Sequence, residues 1–385
     1  MEENRWRRRL VPGLLALGAL GLGAAASVGA NDGGWAPPPC PSDGTAAIVI
    51  AGSGASPRTA DAGEAWYRLD PALDAAGRLD GQDLAIGSVA TSAARTMKLP
   101  AESFAAGPFG VIVLVGIDDG RRSRLQAIDV SAGCSFDLGQ ETSSVIRRAT
   151  IDRDGRWVYE FRVERYSRAD LGVWRRPLDG STPVERILDP MPADGRFGRT
   201  FSTELGWSLD GTTLIVQSCG QSSCRTRVHE PATGAVTLLA DPEQGVAIGL
   251  AGDRLVAYGS CRGLPCPIVA TDVATGRRVT LSDAAGLAVL VESSEGPRLV
   301  HETGAEAGAL LRIVTLDAHE RAVVAPLPDG MRLVPSTSDT SGGTSLGAGT
   351  IAAGPRGRLP AAPGPSSLRH DLPDGITVRL QETSR

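Results

Sequence analysis

The chain has 385 residues, a formal net charge of −5, 42% apolar residues and only 4% aromatic ones. That suffices for a core built mostly from Val, Leu, Ile and Ala, and the acidic balance argues against nucleic acid or anionic lipid as a partner of the folded body. With 48 glycines and 26 prolines, the composition favours many turns and short strands over long helices.

Residues 1–30 read as a segment of their own. Met1–Arg9 is basic, an uncharged run follows from Leu10 to Ala30, and small residues close it at Ala24-Ala-Ala26 and Val28-Gly-Ala30. This is the pattern of a signal peptide cleaved after Ala30 or Ala26, and the run is also long enough for a retained N-terminal membrane anchor. Either way, residues 31–385 are expected outside the cytoplasm: secreted, periplasmic or at the cell surface. Contact with membrane is expected only through residues 10–30, and only if they are uncleaved. Residues 31–44 form a Gly/Pro-rich tether without periodicity.

Residues 45–385 are expected to make a single domain. The pattern there is short apolar strands broken by Gly, Asp and Pro. Seven strand pairs mark candidate blades. In chain order they are Ala46–Ala51 with Ala65–Asp70, Val111–Ile117 with Leu125–Val130, and Trp157–Glu164 with Gly172–Leu178. Then come Thr213–Ser218 with Arg225–Glu230, Leu255–Ser260 with Ile268–Val273, Arg298–Glu302 with Leu310–Leu316, and Leu346–Ala352 with Leu368–Leu372. Further short strands follow at Val236–Leu239, Arg278–Leu281 and Arg321–Pro326, and inner ones are expected at Val145–Ile151 and Gly245–Leu250.

The spacing of these pairs is a repeat. Cys219 and Cys261, Cys224 and Cys266, and Thr233 and Thr275 each lie 42 residues apart. A period of about 40–45 residues filled with short strands and Gly/Asp turns marks propeller blades. The expected fold class is therefore all-β, a β-propeller of four-stranded antiparallel blades. Seven blades is the count; six is the alternative, because residues 336–367 are rich in Ser, Gly and Pro and read as disordered. Gly375–Leu380 alternates as a strand does and is expected to close the ring with the strand near Ile48.

Gly206-Trp-Ser-Leu-Asp-Gly-Thr-Thr-Leu-Ile-Val216 carries a further signal, with Thr150-Ile-Asp-Arg-Asp-Gly-Arg-Trp-Val-Tyr159 as a looser copy. Asp210-Gly211 and Asp154-Gly155 supply the tight turn, and the apolar run after each is the buried strand. These residues resemble the TolB-like, or WD40-like, propeller repeat of exported bacterial proteins, with Leu209 where that repeat has proline. The resemblance covers two blades well and implies the architecture of the rest. Such proteins bind proteins or ligands on the ring face or precede peptidase domains.

Candidate chemistry is sparse. In each repeat a strand ends in Ser-Cys, four residues turn, and a second Cys begins the returning strand. Facing positions of a hairpin lie within disulfide range, so Cys219 with Cys224 and Cys261 with Cys266 are expected to stiffen blade turns. A four-thiolate zinc site is the rival reading, disfavoured by the spacing and by an oxidising compartment. Cys40 and Cys134 remain and are candidates to pin the tether to the second blade. His229, His301, His319 and His370 show no metal spacing and no nucleophile elbow accompanies them. Gly52-Ser-Gly54 is a turn, because neither Lys nor a helix follows it. Asp152-Arg-Asp154-Gly155 begins like a calcium loop but lacks the later ligands, so a turn is expected. The Arg147-Arg148, Arg175-Arg176 and Arg277-Arg278 pairs are expected at solvated strand ends.

These readings point to an exported, non-enzymatic binding or scaffolding module of the cell envelope. It would take an unknown protein or small-molecule ligand on the ring face, without cofactor, metal or catalytic residue. The alternative is a propeller hydrolase or lyase acting on a sugar or lactone at the central channel.

Overall fold

The computed structural model describes residues 36–40, 65–73, 79–88, 94–109, 112–139, 141–178, 182–191, 202–219, 224–239, 244–259, 264–303, 310–317, 323–328, 331–333 and 368–382. These residues belong to one compact unit, Trp35–Arg385, and form seven antiparallel sheets. The first has three strands, β1 (Ala65–Leu73), β2 (Leu79–Ser88) and β3 (Ala94–Leu99). The second comprises β4 (Phe104–Phe109), β5 (Ile112–Asp118), β6 (Ser123–Asp129) and β7 (Cys134–Asp137), and the third β8 (Val145–Ile151), β9 (Trp157–Val163), β10 (Asp170–Pro177) and β11 (Glu185–Leu188). The fourth holds β12 (Ser202–Trp207), β13 (Leu214–Cys219), β14 (Cys224–Glu230) and β15 (Ala235–Leu239). The fifth holds β16 (Gln244–Ala251), β17 (Arg254–Gly259), β18 (Cys266–Asp272) and β19 (Arg278–Ala285). The sixth is β20 (Ala288–Val291), β21 (Arg298–Glu302), β22 (Leu310–Thr315) and β23 (Val323–Pro326), and the seventh β24 (Met331–Leu333), β25 (Leu368–Asp371) and β26 (Thr377–Glu382).

Each sheet packs on the next. Phe161 and Val173 of the third sheet, for example, share a cluster with Leu205, Leu214 and Val216 of the fourth. Corresponding clusters join sheets one and two, two and three, four and five, five and six, and six and seven. Sheets buried on both faces need apolar residues on both, which is why β13 is buried along its whole length and opens with the unbroken apolar run Leu214-Ile-Val216 rather than an alternating one. The first strands β4, β8, β12, β16 and β20 touch in succession and form the inner wall. Consecutive four-stranded units stacked face to face around an inner strand define the architecture. This is a β-propeller.

The motif around Trp207 shows how the repeat builds the interface. Trp207 meets Tyr159 of the third sheet edge-on, with centroids 5.0 Å apart and planes at 87°. The Asp210 carboxylate accepts from the Thr212 N–H, and Gly211 takes φ +73° in the turn. Leu209 donates its N–H to the Leu250 carbonyl of the fifth sheet at 2.7 Å and buries its side chain in the next core. Proline at that position has no N–H, so the departure from the repeat gains a hydrogen bond between sheets.

Five of the seven expected strand pairs form as central strands. The first and last fall partly outside the described residues. Ala65–Leu73 pairs with Leu79–Ser88, a strand the sequence does not announce because Asp80, Gln82 and Asp83 interrupt the apolar pattern. Residues 46–51 and 346–352 lie outside the described residues, as do 336–367 and the Gly52-Ser-Gly54 turn. Thr377–Glu382 lies between β24 and β25; the strand near Ile48 that was expected to close the ring with it lies outside the described residues. Pro373–Gly375 turns the chain locally, with Gly375 at φ +69°.

Two disulfides are described in full. Cys40–Cys134 staples the tether to the second sheet and Cys219–Cys224 crosses the β13–β14 hairpin. Cys266 is disulfide-bonded as well; Cys261, its expected partner, lies outside the described residues. Pro38 and Cys40 add backbone hydrogen bonds to Ser135, so the tether meets the outer edge of β7 in an isolated parallel bridge between Pro39 and Ser135. Among the described residues no helix is long and apolar enough to cross a membrane.

Candidate binding face

Antiparallel order sorts the strand ends onto two faces. The ends leading from second to third strands, and those leading from one sheet to the next, share one face. The Asp/Gly turns after first strands, such as Asp152–Gly155 and Asp210–Gly211, occupy the other. At Asp152 the carboxylate accepts from the Arg156 and Trp157 N–H groups, so the apparent start of a calcium loop is a self-capped turn.

The first face is laced by ion pairs between neighbouring sheets. Asp118, at the end of β5, accepts from the Arg165 guanidinium of the third sheet at 2.7 Å and from Ser123 and Gly120 of its own turn. Asp170 at the start of β10 accepts from Arg227 of the fourth sheet at 3.2 Å and from the Met191 N–H at 3.0 Å. Burial raises the Asp170 carboxyl above its usual value despite Arg227, and burial also lowers Arg227. Desolvation is thus the larger influence on both partners, and the pair fixes geometry more than it adds stability. Glu302, fully buried at the end of β21, takes Arg332 Nε at 2.9 Å, Arg332 Nη2 at 2.6 Å and the Leu333 N–H at 2.7 Å. It thereby locks the short strand β24 onto the sixth sheet.

The inner wall brings three polar groups together. Arg148 of β8 faces Glu204 of β12 at 3.5 Å, and both act electrostatically on Tyr67 of β1. Burial pushes the Tyr67 phenol up to about 12, with Arg148 opposing and Glu204 adding to the rise. The histidines do not join them. His229 lies on β14 against the Ala235 carbonyl and His301 on β21 against the Glu302 carbonyl, while His370 is on β25; His319 lies outside the described residues.

Arg277 and Arg278 are exposed at the start of β19, as expected, whereas the other two arginine pairs are engaged by carboxylates. Arg147 and Arg148 go to Glu102 and Glu204, Arg175 to Glu185, and Arg176 is buried against Glu160. Arg176 points into the space between the second and third sheets, where a buried carboxylate offers it an acceptor. An alternating strand pattern hides such a residue, because sequence marks its side of the strand and not its partner.

One turn on this face carries a large exposed side chain. Between β9 and β10, Glu164 accepts from the Tyr166 N–H at 2.9 Å and the Ser167 N–H at 2.5 Å. Its carboxyl is held below the usual carboxylate range, chiefly by the Ser167 backbone N–H. Arg165 reaches back to Asp118 and to the Ser143 carbonyl, and Arg168 to Glu102. Arg168 takes φ +59°, the only non-glycine with positive φ among the described residues. Tyr166, between them, is 85% exposed. Sequence reasoning missed this turn; the available signal was an aromatic residue in a polar Glu-Arg-Tyr-Ser-Arg run between two strands.

The chain is similar in structure to TolB from Acinetobacter baumannii. The match is 17% identical with a TM-score of 0.42, covering 70% of this chain and 65% of TolB, less than two thirds of that protein. The propeller domain of the trilobed protease from Pyrococcus furiosus matches at 12% identity and TM-score 0.44, covering 70% of this chain and 81% of that one. An oligogalacturonate lyase from Vibrio parahaemolyticus matches at 10% identity and TM-score 0.41, covering 61% and 74%. No protein-family model and no curated protein matches the sequence.

Proposed function

We propose that the protein is an exported, non-enzymatic binding module whose partner-facing surface is the face carrying the turns between second and third strands. The observation supporting this is how the acids on that face are used. Asp118, Asp170 and Glu302 are each engaged by an arginine of a neighbouring sheet. Carboxylates tied this way stiffen a surface and are poorly placed to exchange protons with a substrate. Two disulfides, one stapling the tether, suit an oxidising compartment outside the cytoplasm, in line with the basic-then-apolar N-terminus.

The test is face-specific interaction. The tagged full-length chain is recovered from its own envelope beside charge-reversal variants on either face: Arg122→Glu on the turn face and Arg156→Glu opposite, both well exposed. A partner weakened by Arg122→Glu and retained by Arg156→Glu supports the reading; the reverse pattern overturns it.

The convergence of Arg148, Glu204 and Tyr67 favours a second reading, a hydrolase or lyase at the inner wall acting on a sugar or lactone. Turnover of uronate oligosaccharides or lactones that is abolished by Glu204→Gln would carry that reading instead.

A further inference from the structure

From the turn between β9 and β10 we propose that Tyr166 is the principal anchor for a folded protein partner bearing an apolar pocket, into which the phenol inserts. This rests on the binding-module reading and names its contact residue and the chemistry of its partner.

Three features converge. First, the backbone is held from several sides while the side chain it displays is left bare. Glu164 caps two successive N–H groups, the Arg168 N–H closes on the Glu164 carbonyl at 3.0 Å, and the Ala169 N–H donates to the Ser167 hydroxyl. Arg165 and Arg168, on either side of the tyrosine, are each tied to a carboxylate of another segment. Second, Arg168 sits in the left-handed region, which disfavours a residue with a Cβ, and such strain persists only where surrounding contacts enforce it. A turn needed only to connect two strands has no use for that; a turn that aims a side chain does. Third, the side chain is tyrosine, which gives large contact area for few rotatable bonds and is enriched among interface hot spots.

The surroundings decide the class of partner. With 85% of Tyr166 exposed, the ring sits in no concave site of this chain, so the pocket it fills belongs to the other molecule; sugars and small ligands bind in concave sites and would need one here. Membrane insertion is disfavoured because Tyr166 is flanked by Glu164, Arg165, Ser167 and Arg168 rather than by further apolar side chains. The nearby charges balance: Arg122, Arg147, Arg165 and Arg168 stand against Glu141, Glu102, Asp118 and the turn-capping Glu164, with Arg147 and Arg168 sharing Glu102. A locally neutral surface steers weakly, so the partner's pocket is apolar, with a polar atom at its base for the phenol hydroxyl, and binding depends little on salt.

The experiment places a photo-crosslinking phenylalanine analogue at position 166 of the full-length chain in its own cells. Parallel samples carry it at Arg121 on the same face and at Val236 on the outer strand β15. One discrete protein adduct from 166, competed by excess purified wild type and not by Tyr166→Ala, is expected. Affinity for the protein so identified should fall at least about 30-fold in Tyr166→Ala, stay within a few-fold in Tyr166→Phe, and change little with salt. Because Tyr166 is so exposed, both variants should melt with the wild type, which separates lost binding from lost fold. An adduct from position 121 without one from 166 overturns the anchor while leaving the binding-module reading intact. No protein adduct from 121 or 166 overturns both. An adduct to lipid, to glycan or to a second copy of this chain overturns the proposed partner class.

Discussion

Removal of the Cys40–Cys134 bond is expected to destabilise the protein more than removal of any short hairpin disulfide. In the chain-entropy account, a disulfide stabilises by limiting the unfolded ensemble, and its contribution grows with the logarithm of the loop it closes. The separation is 94 residues for Cys40–Cys134 and 5 for Cys219–Cys224. Those lengths correspond to about 4.7 and about 2 kcal/mol. The long bond also holds the tether on β7, where the Cys40 N–H donates to the Ser135 carbonyl at 3.0 Å and the Ser135 N–H to the Pro38 carbonyl at 2.9 Å. Losing the staple frees those two hydrogen bonds to fray as well. The assay is urea unfolding of Cys40→Ser/Cys134→Ser and Cys219→Ser/Cys224→Ser double variants, each pair changed together so that no free thiol remains. The first pair should lose roughly twice as much stability as the second. Equal losses, or a larger loss in the hairpin pair, would refute the entropic reasoning and place the contribution in native contacts.

Glu302→Ala removes the buried carboxylate that Arg332 and the Leu333 N–H donate to and is expected to cost about 3–5 kcal/mol, whereas Arg147→Ala, whose partner Glu102 is half exposed, should cost no more than about 1 kcal/mol. Thermal melts of the two decide it, and similar losses would contradict the assignment of Glu302 as the lock on β24. His301 and His229 are held below the ordinary imidazole value, burial being the larger cause in each. The unfolded chain then takes up protons first as pH drops, so their contribution is full above about pH 6.5 and fades below it. A melting temperature that stays flat from pH 7.5 to about 5.5, above most carboxylate titration, would count against this. Gly116→Ala should cost about 1–3 kcal/mol, because the added Cβ would sit 2.0 Å from the Phe104 ring across the β4–β5 pair. Phe104→Leu in the same chain should recover part of that loss; no recovery would locate the clash elsewhere.

The strand repeat was legible because its causes are local. Buried central strands are rich in apolar residues, an Asp-Gly pair must turn, and a 42-residue offset between cysteines survives any tertiary arrangement. The five inner blades followed directly, as did Cys219 facing Cys224 across one hairpin. Other features depended on groups distant in sequence. β26 alternates as a strand, yet only the competition among partners decided that it inserts between β24 and β25. Arg176 and Arg148 read as surface charges until a carboxylate from a neighbouring strand or sheet appeared beside each. Tyr166 shows the division most plainly. Its sequence fixes a polar turn with one aromatic residue, because Glu164 can cap only the N–H groups that follow it. Whether that ring is buried or displayed depends on Asp118 and Glu102, 47 and 66 residues from the arginines they hold, and only folding brings those charges within reach.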